Sequence, residues 1–227
     1  MPRRGNGATP ATMNRWSILL AVLAISAAPA PPRPAGAGPA TRPLVLAFGD
    51  SLTAGYGLGP GLGFAPQLQA TLRRHGISAT VSDGGVSGDT SQAGRARLGW
   101  TLDGLPRKPD LVIVELGAND MLRGLDPKLT RANLDAILAE LGRRKIPVLL
   151  AGMRAAPNLD PAFISSFEKL YPELAAKHRA TLYPFFLDGV AGQRAMVQGD
   201  GLHPTFAGVK TIVGRIVPTV KRALRLR

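Results

Sequence analysis

The sequence predicts an α/β domain built on a parallel sheet with helices on both faces. Two observations carry this. Short continuous apolar runs alternate along the chain with stretches whose apolar residues recur every three or four positions. One run, LVIVEL at 111–116, is apolar at every position but Glu115, as a strand covered on both faces requires.

Taken in order, Leu44–Phe48 reads as the first buried strand. Phe64, Leu68 and Leu72 follow at helical spacing. Ala79–Ser82 is a weaker strand, and Ser91–Leu102 a short helix. Leu111–Leu116 is the strongest strand. Leu134, Ile137, Leu138 and Leu141 mark an amphipathic helix that Pro147 is expected to close. Val148–Ala151 is the fourth strand. Phe163, Phe167, Leu170, Tyr171 and Leu174 give another helical stripe. Thr181–Phe186 is the last strand, placed toward a sheet edge by Pro184. Val209, Ile212, Val213, Ile216, Val217 and Val220 form the closing helix. No internal repeat and no second domain is visible.

The first 40 residues differ from the rest. Arg3, Arg4 and Arg15 precede an apolar stretch from Trp16 to Ala28, then a Pro/Ala/Gly-rich run, and no acid occurs before Asp50. That is the pattern of a secretory signal, with Ala35-Gly36-Ala37 as the cleavage site. Ala28-Pro29-Ala30 fits less well because Pro31 would follow the cut, and Met13 is an alternative start. An uncleaved anchor or a tail is the competing reading. The expected organisation is a signal peptide over 1–37, a linker over 38–42 and the domain over 43–227. The chain is expected to be exported, periplasmic or secreted.

Composition narrows the chemistry. Of 227 residues, 45% are apolar, which is too many for a disordered chain, and no apolar run reaches the roughly 20 residues of a membrane span. With no cysteine, disulfides, thiolate metal sites and cysteine nucleophiles are excluded. His75, His178 and His203 form no metal-type pair. The net charge of +13 admits an anionic partner, but the arginines are scattered and not interleaved with aromatics. A solvated basic surface is the preferred reading of them.

In an open parallel sheet, ligands bind beyond the carboxyl ends of the strands. Four strand-following loops therefore matter. Ser51 lies in Gly49-Asp50-Ser51-Leu52, where it can be a nucleophile or a helix cap. Gly88 lies in Gly84-Gly85-Val86-Ser87-Gly88-Asp89-Thr90, presenting a bare amide or merely turning into a helix. Asn119 lies in Gly117-Ala118-Asn119-Asp120, as an amide donor or a turn residue. Asp200 and His203 lie three apart in Gly199-Asp200-Gly201-Leu202-His203-Pro204. That spacing lets the carboxylate accept Nδ1–H and leave Nε2 free as a base, although a loop histidine is also ordinary polar surface. Together the four loops supply every role acyl transfer needs.

These blocks, in this order, resemble the SGNH (GDSL) hydrolase family. GDSLTAGYGLGP, SGDTS, VELGANDMLRGL and LYPFF are similar to its bacterial periplasmic arylesterase and thioesterase/lysophospholipase branch, over roughly residues 43–223. The resemblance implies a flavodoxin-like three-layer α/β/α fold with a five-stranded parallel sheet. It implies Ser51 as nucleophile, His203 as general base and Asp200 as the acid that orients it. The amides of Ser51 and Gly88 and the Asn119 side chain would form the oxyanion hole, and Asp50 would support the serine loop. Gly152–Leu159 matches the segment that shapes the substrate site. The expected activity is a carboxylic ester hydrolase acting on a small acyl ester, aryl or short to medium in chain, with thioesters and lysophospholipids as further classes. No metal, cofactor or nucleic acid is expected. A monomer is expected, with contact to an anionic lipid surface as a secondary role. The rival reading is a non-catalytic envelope binding module on the same fold.

Overall fold

The computed structural model describes residues 42–225. The expected leader, its cleavage site and the linker up to residue 41 lie outside the described residues, as do the last two residues.

Five strands form one sheet: β1 (Leu44–Gly49), β2 (Thr80–Gly85), β3 (Leu111–Glu115), β4 (Val148–Ala151) and β5 (Thr181–Tyr183). The spatial order is β2-β1-β3-β4-β5 and every pairing is parallel. Among the described residues seven helices accompany them: α1 (Ser51–Ala54), α2 (Phe64–Arg74), α3 (Ser91–Asp103), α4 (Ala118–Leu122), α5 (Pro127–Arg143), α6 (Pro161–His178) and α7 (Phe206–Ala223). Helices α2 and α7 pack together on one face of the sheet, and α3, α5 and α6 pack in a row on the other. Parallel strands need such crossovers, and right-handed crossovers with this order place helices on both faces.

Burial follows the sequence pattern. All of β1 and β3 are buried, as their continuous apolar runs require. Phe64, Leu68 and Leu72 of α2 are at most 1% exposed, each burial worth about 1.5–3 kcal/mol before entropy is counted. Phe64 meets Phe186 edge-on, with centroids 5.1 Å apart. On the other face the Tyr171 phenol of α6 donates to the Leu116 carbonyl at 3.0 Å, tying that helix to the end of β3.

Some boundaries differ from expectation. β2 starts at Thr80 and continues through Asp83 to Gly85, because an edge strand is defined by its bonds to β1 and not by apolar residues. β5 ends at Tyr183: Pro184 has no N–H for the ladder, and the chain turns there as Gly152 donates to the Tyr183 carbonyl at 2.8 Å. Helix α5 stops at Arg143, well before Pro147; Lys145 adopts φ 54° and turns the chain into β4. The short helices α1 and α4 occupy segments that read as loops.

The order 2-1-3-4-5 reverses direction at β1, so the loops after β1 and β3 splay apart and open a crevice. Ser51 opens the helix that follows β1, and Asn119 lies in the helix that follows β3.

Candidate active site

Ser51 is the first residue of α1. The cap of that helix is Asp50, whose Oδ1 accepts the Leu52 amide at 3.0 Å. Ser51 is therefore free of capping duty, and its hydroxyl lies 2.9 Å from His203 Nε2. The other ring nitrogen, Nδ1, is 2.6 Å from Asp200 Oδ2. Asp200 Oδ1 accepts the amides of Leu202 at 2.9 Å and His203 at 3.0 Å. The hydrogen bond to His203, followed by those two amides, holds the Asp200 carboxyl down at about 2. A carboxylate that stays ionised fixes Nδ1 as the protonated nitrogen and leaves Nε2 to accept a proton from Ser51. Ser51, His203 and Asp200 are thus in one hydrogen-bonded line, although 152 positions in sequence separate the hydroxyl from the imidazole.

The histidine loop is tied to its surroundings by groups that sequence reasoning missed. Gln198 donates from Nε2 to the carbonyls of Tyr56 at 2.7 Å and Pro204 at 3.0 Å, while its amide donates to the His203 carbonyl at 2.7 Å. The Tyr56 ring lies against the imidazole, with centroids 4.5 Å apart.

Three candidate donors lie in the segments that follow β1, β2 and β3. The Ser51 amide heads a helix and has no intrahelical partner. The Gly88 amide makes no hydrogen bond among the described residues. Asn119 is placed by Gly117, whose φ of 115° favours glycine; a Cβ there would run into the Tyr171 hydroxyl. Asn119 Nδ2 donates to Asp50 Oδ2 at 3.1 Å and to the Asp89 carbonyl at 3.0 Å. Both of its hydrogens therefore have protein partners, and donation to a substrate oxygen requires one of them to be shared or released. The loop carrying Asp89 is itself anchored: Arg97 pairs with Asp89 at 2.5 Å, donates to the Gly49 carbonyl at 2.8 Å and stacks over Phe48. Thr90 caps α3, so this loop both turns into a helix and leaves the Gly88 amide without a protein partner among the described residues.

Two acids lie beneath the serine loop. Asp50 is fully buried, and burial pushes its carboxyl up to about 6 despite the Leu52 and Asn119 donors. Glu115, at the end of β3, is raised well above the usual carboxylate range by burial and then by the charge of Asp50. One acid in an otherwise apolar strand was the sequence signal for Glu115.

A cavity of about 350 Å³ opens from Ser51 and His203. Its walls are apolar: Leu122 from α4, Met153 and Ala155 from the segment after β4, Phe185 and Leu202. Gly152–Leu159 thus contributes directly to the wall. A larger cleft of about 480 Å³ between α3 and α5, lined by Gln92, Arg95 and Asn133, does not reach Ser51. Among the described residues no cluster of His, Asp and Glu has the arrangement of a metal site, and no helix is long and apolar enough to cross a membrane.

Comparison with known proteins agrees with this geometry. Residues 47–210 match the GDSL-like lipase/acylhydrolase family. The chain is 38% identical over 180 residues to "Esterase TesA" of Pseudomonas aeruginosa, covering 79% of this chain and 89% of that protein. It is 35% identical over 160 residues to "Thioesterase 1/protease 1/lysophospholipase L1" of Escherichia coli K12, covering 70% and 74%. Among solved structures, AlinE4, described as an SGNH-hydrolase family esterase, superposes with a TM-score of 0.69 at 51% identity, over 80% of this chain and 96% of that one. The protein belongs to the GDSL-like lipase/acylhydrolase family and is a carboxylic ester hydrolase on the three-layer SGNH fold.

Proposed function

We propose that the protein hydrolyses its ester through an acyl-enzyme on Ser51. The observation that carries the reading is the unbroken line of hydrogen bonds, Ser51 Oγ to His203 Nε2 at 2.9 Å and His203 Nδ1 to Asp200 at 2.6 Å. His203 takes the hydroxyl proton as Oγ attacks the acyl carbonyl, and Asp200 stabilises the imidazolium that forms. The negative oxygen develops within reach of the Ser51 and Gly88 amides and the Asn119 side chain. His203 gives its proton to the departing alcohol or thiol, and water then repeats the sequence on the acyl-enzyme. The steps as written need neither metal nor cofactor.

The substrate proposed is an aryl ester or a short to medium acyl ester. A cavity of about 350 Å³ is at the small end of ligand pockets, and its apolar wall suits a hydrocarbon chain. Acyl thioesters and lysophospholipids use the same oxyanion geometry and are the alternatives to test. The exposed side chains of Tyr56, Leu122 and Leu202 lie around the mouth, with Arg123 bound to the Gly88 carbonyl and Arg154 over Phe185. This apolar rim with flanking cations favours contact with an anionic lipid surface as a secondary role. We propose further that the protein acts as an exported monomer, the leader being residues 1–37.

The test is Ser51→Ala together with a serine-directed phosphonate. The variant should fold and lose turnover of p-nitrophenyl esters, and the reagent should add one mass equivalent on the peptide holding Ser51. Turnover undiminished in Ser51→Ala, or labelling elsewhere, overturns the assignment. A wild-type protein with no turnover of any ester would return the chain to the binding-module reading. kcat/KM over a ladder of acyl lengths, with one thioester and one lysophospholipid, separates the substrate classes.

A further inference from the structure

Glu115 is 1% exposed and no step of the proposed reaction uses it. Its Oε2 accepts the Thr53 hydroxyl at 2.8 Å and, at 3.4 Å, the Asp50 amide. Its Oε1 is buried and receives no donor among the described residues. A buried carboxylate so poorly satisfied is costly unless a cation neutralises it. No cation does. Asp50 and Thr53 face it from the segment after β1, and the Tyr171 phenol of α6 lies near enough to feel its charge but donates to the Leu116 carbonyl. Arg97 of α3 is committed to Asp89 and the Gly49 carbonyl. There is no slack in the packing either, because a Cβ on Gly49 would strike the Thr53 hydroxyl and the Glu115 carboxyl.

The two acids lie side by side, with the Asp50 amide 3.4 Å from Glu115 Oε2, and each shifts the ionisation of the other. Two carboxyls can bond to one another only with a proton between them. Asp50 already accepts the Leu52 amide on Oδ1 and the Asn119 amide on Oδ2, the role of an ionised group. Glu115 is left as the donor.

We propose that Glu115 is a positioning residue: as a neutral acid it donates its proton to Asp50 and so fixes the carboxylate that aims the Asn119 amide at the developing oxyanion. This rests on the acyl-enzyme reading of the site. Burial, which pushes Glu115 far above the usual carboxylate range while Asp50 stays near 6, supports the same division of the proton. When alkali removes the proton, two like charges face each other in a dry site. Asp50 then moves off Asn119, and kcat falls with KM little changed.

The test measures kcat and KM against pH for the wild type, Glu115→Gln and Glu115→Ala, with the infrared spectra of the first two. Glutamine keeps a donor for Asp50 and an acceptor for Thr53 but cannot ionise. Glu115→Gln is expected to keep kcat within about threefold at neutral pH and to lose the alkaline fall caused by Glu115. Glu115→Ala is expected to lose about tenfold or more in kcat at nearly constant KM. The wild type should show a neutral-carboxyl stretch at neutral pH that is missing in Glu115→Gln. Glutamine as damaging as alanine, an unchanged alkaline limb, or a carboxyl band that survives the substitution would overturn the proposal. The infrared band is read without substrate, so it reports on the proton even if Glu115→Ala does not fold. It also stands apart from the Ser51 assignment, whose failure would appear as turnover in Ser51→Ala.

Discussion

Replacing Asn119 with alanine tests the oxyanion geometry most directly. Removing one preorganised donor typically lowers kcat by 10²–10³, about 2.7–4 kcal/mol. Here both hydrogens of Nδ2 are already in use, one by Asp50 at 3.1 Å and one by the Asp89 carbonyl at 3.0 Å. The bond to ionised Asp50 is the stronger, so the substrate oxygen competes with the Asp89 carbonyl. Giving up that neutral bond offsets about 0.5–1.5 kcal/mol of the stabilisation. The expected loss is therefore at the low end, about 10² in kcat, with KM within about threefold. The same substitution strips a donor from fully buried Asp50 and should lower stability by about 1–3 kcal/mol. Losing a donor that lowers the Asp50 carboxyl also moves the acid limb of activity upward in pH. Steady-state hydrolysis of p-nitrophenyl butyrate and a thermal melt at matched pH measure both effects. A variant that melts earlier yet keeps wild-type kcat would show Asn119 to be a strut and not an oxyanion donor; a rise confined to KM would refute the reasoning equally.

Other outcomes follow from the same geometry. Asp200→Asn should lower kcat by about 10²–10³, less than the ~10⁴ seen for a buried triad aspartate, because solvent reaches this carboxylate and helps hold the ring; an unchanged kcat would remove Asp200 from the mechanism. The folded Asp50 carboxyl titrates near 6, above its reference of 3.8. Lowering pH from about 6 to 4 should thus protonate it, decrease kcat and add stability, a slope absent from melts of Asp50→Asn. Ala155→Phe should narrow the cavity and lower kcat/KM for octanoyl relative to acetyl esters by about tenfold or more. Arg97→Met leaves Asp89 unpaired at a site where both side chains are mostly buried, and should cost about 3 kcal/mol by chemical denaturation.

Much of this architecture is legible in the residues. The runs at Leu44, Leu111 and Val148 and the helical stripes locate their elements because apolar burial alone defines them. β2 is less legible: Ser82, Asp83 and the two glycines belong to it through backbone bonds that leave no apolar trace. Helices of four and five residues, such as α1 and α4, are too short to show a period. At the site, the four loops could be picked out and Asp200 paired with His203 by spacing. That Asp50 and not Ser51 caps α1 could not be read, since both residue types cap helices. The contact between Asp50 and Glu115 depends on the register that sets Gly49 beside Glu115, and register is a tertiary property. Cavity volume likewise belongs to loops whose course one sequence does not encode locally.

The sequence separation of 152 positions between Ser51 and His203 carries a temporal meaning. The hydroxyl leaves the ribosome long before the imidazole exists, and the imidazole lies on the loop that runs into the closing helix α7. A half-made or still-extended chain therefore carries an ordinary, unreactive serine. On the acyl-enzyme reading, cleavage needs both ends of the domain in place, so an incomplete chain would lack it.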